Sequence, residues 1–210
     1  MSPREKLKSM DKRTIWVGVL AFLLVGVVAA GVFLFSEPAS LRGTAYTEPY
    51  PPAPQFELTR GNGSRFRLSD ARGKIVMLFF GYTSCPDVCP TTMAELKTAL
   101  EEVGDDQAKD VKVVFVTVDP ERDTPERVQK YVNHFDQDFI GLSGTEPELA
   151  EVWNEYGVFR QVVEGTSAAG YLVDHTARVT LIDQEGNLRV SYGFDTPVED
   201  IVHDLKLLLR

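Results

Sequence analysis

Residues 75–90 read Ile-Val-Met-Leu-Phe-Phe-Gly-Tyr-Thr-Ser-Cys-Pro-Asp-Val-Cys-Pro. The six apolar side chains Ile75–Phe80 leave no polar face. Such a run predicts a strand covered on both sides, in the middle of a sheet packed by helices. From Pro90 the period changes: Met93, Leu96, Ala99, Leu100 and Val103 fall on one side of a helix, and Gly104 ends it. A buried strand therefore runs through two cysteines directly into a helix.

The pattern repeats outward from there. Val111–Val118 is a second buried strand. Thr124 caps the next helix and Pro125 suits its first turn, with Val128, Tyr131, Val132 and Phe135 as the apolar stripe. Phe139–Leu142 reads as a short strand and Pro147–Tyr156 as a helix. Arg178–Ile182 and Leu188–Tyr192 flank the turn residues 183–187 and predict an antiparallel hairpin. Pro197–Leu209 is an amphipathic helix. Upstream, Phe56–Leu58 and Arg65–Leu68 flank Gly61-Asn62-Gly63, another hairpin signal. This order predicts an α/β domain over residues 55–210, a mixed sheet with helices on both faces, compatible with a thioredoxin-like fold.

The first 54 residues read differently. Ile15–Phe35 carries no charge over 21 residues. At about 1.5 Å per residue it is long enough to cross a bilayer core of roughly 30 Å, so a single transmembrane helix is expected to precede the domain. A cleaved signal peptide usually has a shorter apolar region and an adjoining small-residue cleavage site. Residues 1–14 hold five bases (Arg4, Lys6, Lys8, Lys12, Arg13) against Glu5 and Asp11, which predicts a cytoplasmic tail. The domain then lies on the periplasmic or extracytoplasmic side of the cytoplasmic membrane. Residues 36–54 contain five prolines and read as an extended tether. The chain's net charge is −9, and with the basic tail set apart the domain is more acidic still. That argues against nucleic acid as a partner, since phosphates reward Lys and Arg.

Cys85 and Cys89 are the only cysteines. Four helical residues rise about 6 Å and return to nearly the same face, so both sulfurs can converge. The helix amino terminus lowers thiol pKa, and thiolate is the form that attacks disulfides and binds soft metals. A structural disulfide would close too short a loop to stabilise much. Dithiol oxidoreductases usually have two residues between their cysteines and a proline before the facing strand. Here there are three residues, and the facing junction is Val173-Asp174-His175-Thr176-Ala177. Peroxidatic cysteines follow T-x-x-C, whereas Tyr82 stands three before Cys85. His175, placed before a core strand, would lie at the cysteines' end of the sheet. Two thiolates and one imidazole favour Cu(I), while structural zinc wants four protein ligands. His134 and His203 lie on other helices and read as ordinary histidines.

Three stretches, Cys85–Pro90, Val118-Asp119-Pro120-Glu121-Arg122-Asp123-Thr124-Pro125 and Asp174–Ala177, resemble the signatures of the Sco/SenC family in the right order. The resemblance covers roughly Pro54–Arg210. It implies a thioredoxin-like fold binding one copper ion through Cys85, Cys89 and His175, with Cys85 and Cys89 also able to form a redox disulfide. It further implies assembly of the copper A centre in cytochrome c oxidase subunit II, as copper donor, as reductant of that subunit's cysteines, or both. An upstream copper donor and a thiol reductant are then implied partners. Asp87 and Asp119 are candidates for groups that order the ligands from behind; capping of backbone N–H groups is the plainer role for each.

Overall fold

A computed structural model describes residues 16–26, 40–167 and 170–210. The chain divides into two units, Met1–Ser40 and Leu41–Arg210. In the first, helix α1 spans residues 16–26 with its side chains exposed, among them Trp16, Phe22 and Leu24. Among the described residues no helix is long and apolar enough to cross a membrane. The expected basic tail, and most of the expected span Ile15–Phe35, lie outside the described residues.

In the second unit, β4 (Ile75–Gly81) is buried along its whole length, as its unbroken apolar run requires. It pairs in parallel with β5 (Val111–Thr117), and β5 pairs in parallel with β6 (Ile140–Ser143). The other neighbours are antiparallel. β2 (Glu57–Arg60) and β3 (Arg65–Arg67) extend the sheet beyond β6, while β9 (Arg178–Ile182) and β10 (Leu188–Gly193) extend it beyond β4. A two-residue strand β1 (Thr44–Ala45) pairs with β10 and completes a mixed eight-stranded sheet.

Alternation along the strands sorts the helices. Phe79 packs on Phe115, and Phe115 on Tyr131 of α4 (Pro125–Val132). That face also carries α2 (Val88–Val103), against which α6 (Val198–Leu208) packs. Phe80 points the other way, to Tyr156 at the end of α5 (Glu146–Glu155). A short α3 (Asp105–Ala108) bridges α2 and β5. The expected caps are present: Thr124 Oγ1 accepts the Arg127 N–H at 3.3 Å.

Two features depart from the sequence reading. The segment read as a tether is docked from Leu41 onward. Asp204, fully buried on α6, accepts the backbone N–H groups of Arg42 and Gly43 at 2.9–3.0 Å, and the Tyr192 hydroxyl at 3.1 Å. Gly43 has to be glycine, since a Cβ there would stand 2.4 Å from Val190. Prolines forbid a helix in this stretch but leave its carbonyls free, and Pro51 O accepts the Leu188 N–H at 2.9 Å. The second feature is a two-stranded hairpin, β7 (Arg160–Ser167) and β8 (Gly170–His175), which among the described residues pairs with no strand of the main sheet.

Candidate metal centre

Topology brings the three expected donors together. β4 ends at Gly81 and turns through residues 82–87 into α2. β9 is antiparallel to β4, with Val179 opposite Phe79, so the chain leaving β8 arrives where β4 exits. Cys85 and Cys89 therefore meet His175, 86 residues beyond Cys89.

The cysteine loop is held from beneath. The Cys85 N–H donates to Tyr82 O at 3.2 Å. The buried Asp123 carboxylate accepts the Thr83 N–H at 2.9 Å, the Thr83 hydroxyl at 2.5 Å and the Thr117 hydroxyl at 2.8 Å. Burial pushes the Asp123 carboxyl up, and these hydrogen bonds oppose that. Arg127, on α4, donates to Thr83 Oγ1 and Ser84 Oγ at 2.9 Å each.

Both cysteines are free thiols. Cys89, the second residue of α2, is wholly buried, and its Sγ stands 3.9 Å from His175 Nε2. Its N–H points at Cys85 Sγ, 3.5 Å away. Gly81 makes room for that sulfur: a Cβ there would lie 2.8 Å from Cys89 Sγ and 2.9 Å from Phe115. His175 Nδ1 is 3.1 Å from Val173 O. A carbonyl only accepts, so Nδ1 carries a proton, and in the neutral ring the lone pair of Nε2 faces the Cys89 sulfur. The ring is braced edge-to-face by Tyr82, centroid to centroid 5.7 Å.

The two thiols are unequal. Cys85 is held down to about 5, first by the hydrogen bond from the Cys89 thiol, then by the backbone N–H groups of Asp87 and Cys89 and by the positive charge of the His175 ring when that is protonated, against the cost of burial. Cys89 is pushed up by its hydrogen bond to Cys85 and by burial. The pair thus holds one thiolate, on the half-buried Cys85, and one thiol beneath it, on the fully buried Cys89. Burial, and the sulfurs beside it, push the Tyr82 phenol up as well.

The remaining expected residues separate. Asp87 is exposed and its side chain caps nothing. Its contribution to Cys85 comes from its backbone N–H. Asp119 is fully buried, yet its carboxylate faces the hairpin. It accepts Arg122 Nε at 2.5 Å and the Tyr171 hydroxyl at 2.7 Å. His134 Nδ1 lies 2.6 Å from Lys130 O, and His203 Nδ1 lies 2.9 Å from Asp204. Sequence reasoning missed Asp123, Arg127, Arg122 and Tyr171. Only the alternation Tyr171, Val173, His175 along one strand face hinted at the last. Among the described residues no three His, Cys, Asp or Glu side chains are closed tightly enough to hold an ion as they stand. The donor set nonetheless suits a soft cation: two sulfurs and one imidazole nitrogen whose free lone pair already faces a sulfur.

A family profile described as SCO1/SenC matches residues 44–210. A SCO2-like protein of Rickettsia felis is 32% identical over 202 residues, covering 94% of this chain and 98% of that one. Among solved structures, apo Sco1 of Thermus thermophilus superposes with a TM-score of 0.72 at 40% identity, over 80% of this chain and 97% of its own. Copper-bound ScoI of Arabidopsis thaliana superposes with a TM-score of 0.71 at 34% identity, over 75% and 98%.

Proposed function

The chain belongs to the SCO1/SenC family, and from that premise we propose that it is a copper carrier, with Cys85, Cys89 and His175 as its ligands and the copper A centre of cytochrome c oxidase subunit II as its destination. The observation that carries this reading is the imidazole: Nδ1 is engaged with Val173 O, which leaves Nε2 turned toward Cys89 Sγ at 3.9 Å. An orienting bond on the far nitrogen is what a metal-binding histidine needs. Cys85 is already ionised at neutral pH, and Cys89 would lose its proton as copper is taken up. An upstream copper donor and a thiol reductant are the other partners this role requires. We place the domain outside the cytoplasmic membrane. The support is the basic tail, the uncharged 21-residue run and the exposed apolar surface of α1.

The unequal thiols favour a second reading, a reductase for the acceptor's own cysteines. The Cys85 thiolate would attack an acceptor disulfide and release one acceptor thiolate. Cys89 would then displace the second, leaving a Cys85–Cys89 disulfide and a reduced acceptor. His175→Ala separates the two readings. For a carrier, the variant loses tight copper binding, keeps dithiol exchange and fails to restore the oxidase copper centre in cells lacking the protein. Full restoration at ordinary copper supply by a variant that binds copper weakly would make thiol reduction the main task.

A further inference from the structure

Much of the hairpin that ends in His175 is exposed. It lies outside the main sheet, and Val162 and Val163 are exposed. Among its described side chains only Val173 is buried. At the base, Arg160 Nε donates to Val118 O at 2.5 Å, and the Thr176 N–H donates to Phe159 O at 3.1 Å. Midway along β8 the Val173 backbone meets the Tyr82 hydroxyl, and Tyr171 supplies a further hold.

Tyr171, Val173 and His175 share a strand face, so Tyr171 lies about 13 Å before His175 on the same side. Its hydroxyl donates to Asp119 Oδ1 at 2.7 Å and contacts Glu121 Oε2 at 3.2 Å. Its carbonyl accepts Arg122 Nη1 at 3.0 Å, and the Arg122 guanidinium lies over its ring, 3.7 Å from the centroid. Asp119 is itself anchored, its N–H donating to Thr117 Oγ1 at 2.9 Å at the end of β5. Arg122 also stands 5.7 Å from the Tyr82 ring, which braces His175 edge-on. Hydroxyl, carbonyl and ring face of one residue are thus gripped by a single rigid turn. Any swing of the hairpin that moved His175 would break all three holds together.

We propose that Tyr171 is a positioning residue for copper: through its clamp on Asp119 and Arg122 it fixes the β7–β8 hairpin so that His175 stands beside Cys89. The proposal rests on the copper-carrier reading.

The test is a double-mutant cycle on the purified, reduced full chain. Cu(I) affinity is measured by competition with a chromophoric chelator, and the nitrogen shell by copper K-edge absorption. Wild type, Tyr171→Phe, His175→Ala and the double variant are compared, with urea unfolding as a check on the fold. Tyr171→Phe, which loses one hydrogen bond to a charged group, should weaken Cu(I) binding about tenfold and diminish the nitrogen shell. In the His175→Ala background the same change should have no further effect. Arg122→Lys, which keeps the charge but loses the planar stack, should behave in the same His175-dependent way. Wild-type affinity in Tyr171→Phe, or an equal loss with and without His175, would overturn the proposal. If His175→Ala itself binds copper as tightly as wild type, the ligand set fails first, and the positioning role with it.

Discussion

Replacing Cys89 with alanine should move the titration of Cys85 back toward its ordinary value, because the Cys89 thiol is the largest influence holding it at about 5 rather than 9.0. At pH 6 a thiol titrating at 5 is about 90% thiolate and one at 9 about 0.1%, roughly a 900-fold difference in the reactive form. The more acidic thiolate is also the weaker nucleophile, and a Brønsted slope of about 0.4–0.5 over that span removes roughly 40–100-fold. The net advantage of wild type at pH 6 is therefore about 10–20-fold, and at pH 7 the two effects nearly cancel. A single rate at neutrality would miss the effect. The assay is release of thiopyridone from dithiodipyridine, followed by stopped flow from pH 4 to 9. Wild type should titrate near 5 and level off above about 6. Cys89→Ala should titrate higher and react several-fold more slowly at pH 6, short of the full return because the backbone N–H groups and His175 remain. The sign for copper is the same: a depressed pKa favours the charged form above it, so metal capacity should fall as pH drops through about 5. A wild-type midpoint at 8 or above, or identical profiles for the two proteins, would refute the account of the pair.

Two further outcomes follow from close contacts. Gly81→Ala places a methyl 2.8 Å from Cys89 Sγ and 2.9 Å from Phe115, and should cost about 1–3 kcal/mol in urea unfolding; an unchanged midpoint would show that the site has slack. Asp204→Ala strands the N–H groups of Arg42 and Gly43 and the Tyr192 hydroxyl. It should cost about 2–4 kcal/mol and open residues 41–54 to protease under native conditions, and undiminished protection would remove Asp204 as the anchor of that segment.

The central strands and most helices were legible because burial on two faces leaves a plain mark, as in Ile75–Phe80, and because Thr124 and Pro125 announce a helix start chemically. The two cysteines were legible from their place at a strand-to-helix junction. His175 needed topology as well, since only an antiparallel β9 returns the chain to the right end of the sheet. The β7–β8 hairpin left little trace: among the described residues its strands pair only with each other, and exposed Val162 and Val163 erase the alternation a half-buried strand would show. Asp119 and Asp123 show where sequence reasoning stops. Four residues apart in one acidic, turn-like stretch, one grips the hairpin and the other the cysteine loop. Which does which is fixed by side-chain direction at the end of β5, and no pattern of residue types records it.

The docking of residues 41–54 has a consequence for association between copies. Thr44 and Ala45 lie opposite Ser191 and Val190, Tyr46 donates to Arg189 O, and Ala53 donates to Gly186 O. Stripped of this strip, β10 would present a row of unsatisfied N–H and C=O groups along an open sheet margin, a template for a neighbour's strand. A fragment begun at Gln55 would expose that margin and invite edge-to-edge pairing, whereas one begun at Leu41 carries its own cover. The stretch whose prolines suggest a mere spacer thus acts as a guard, keeping the margin at β10 from being offered to a second copy of the domain.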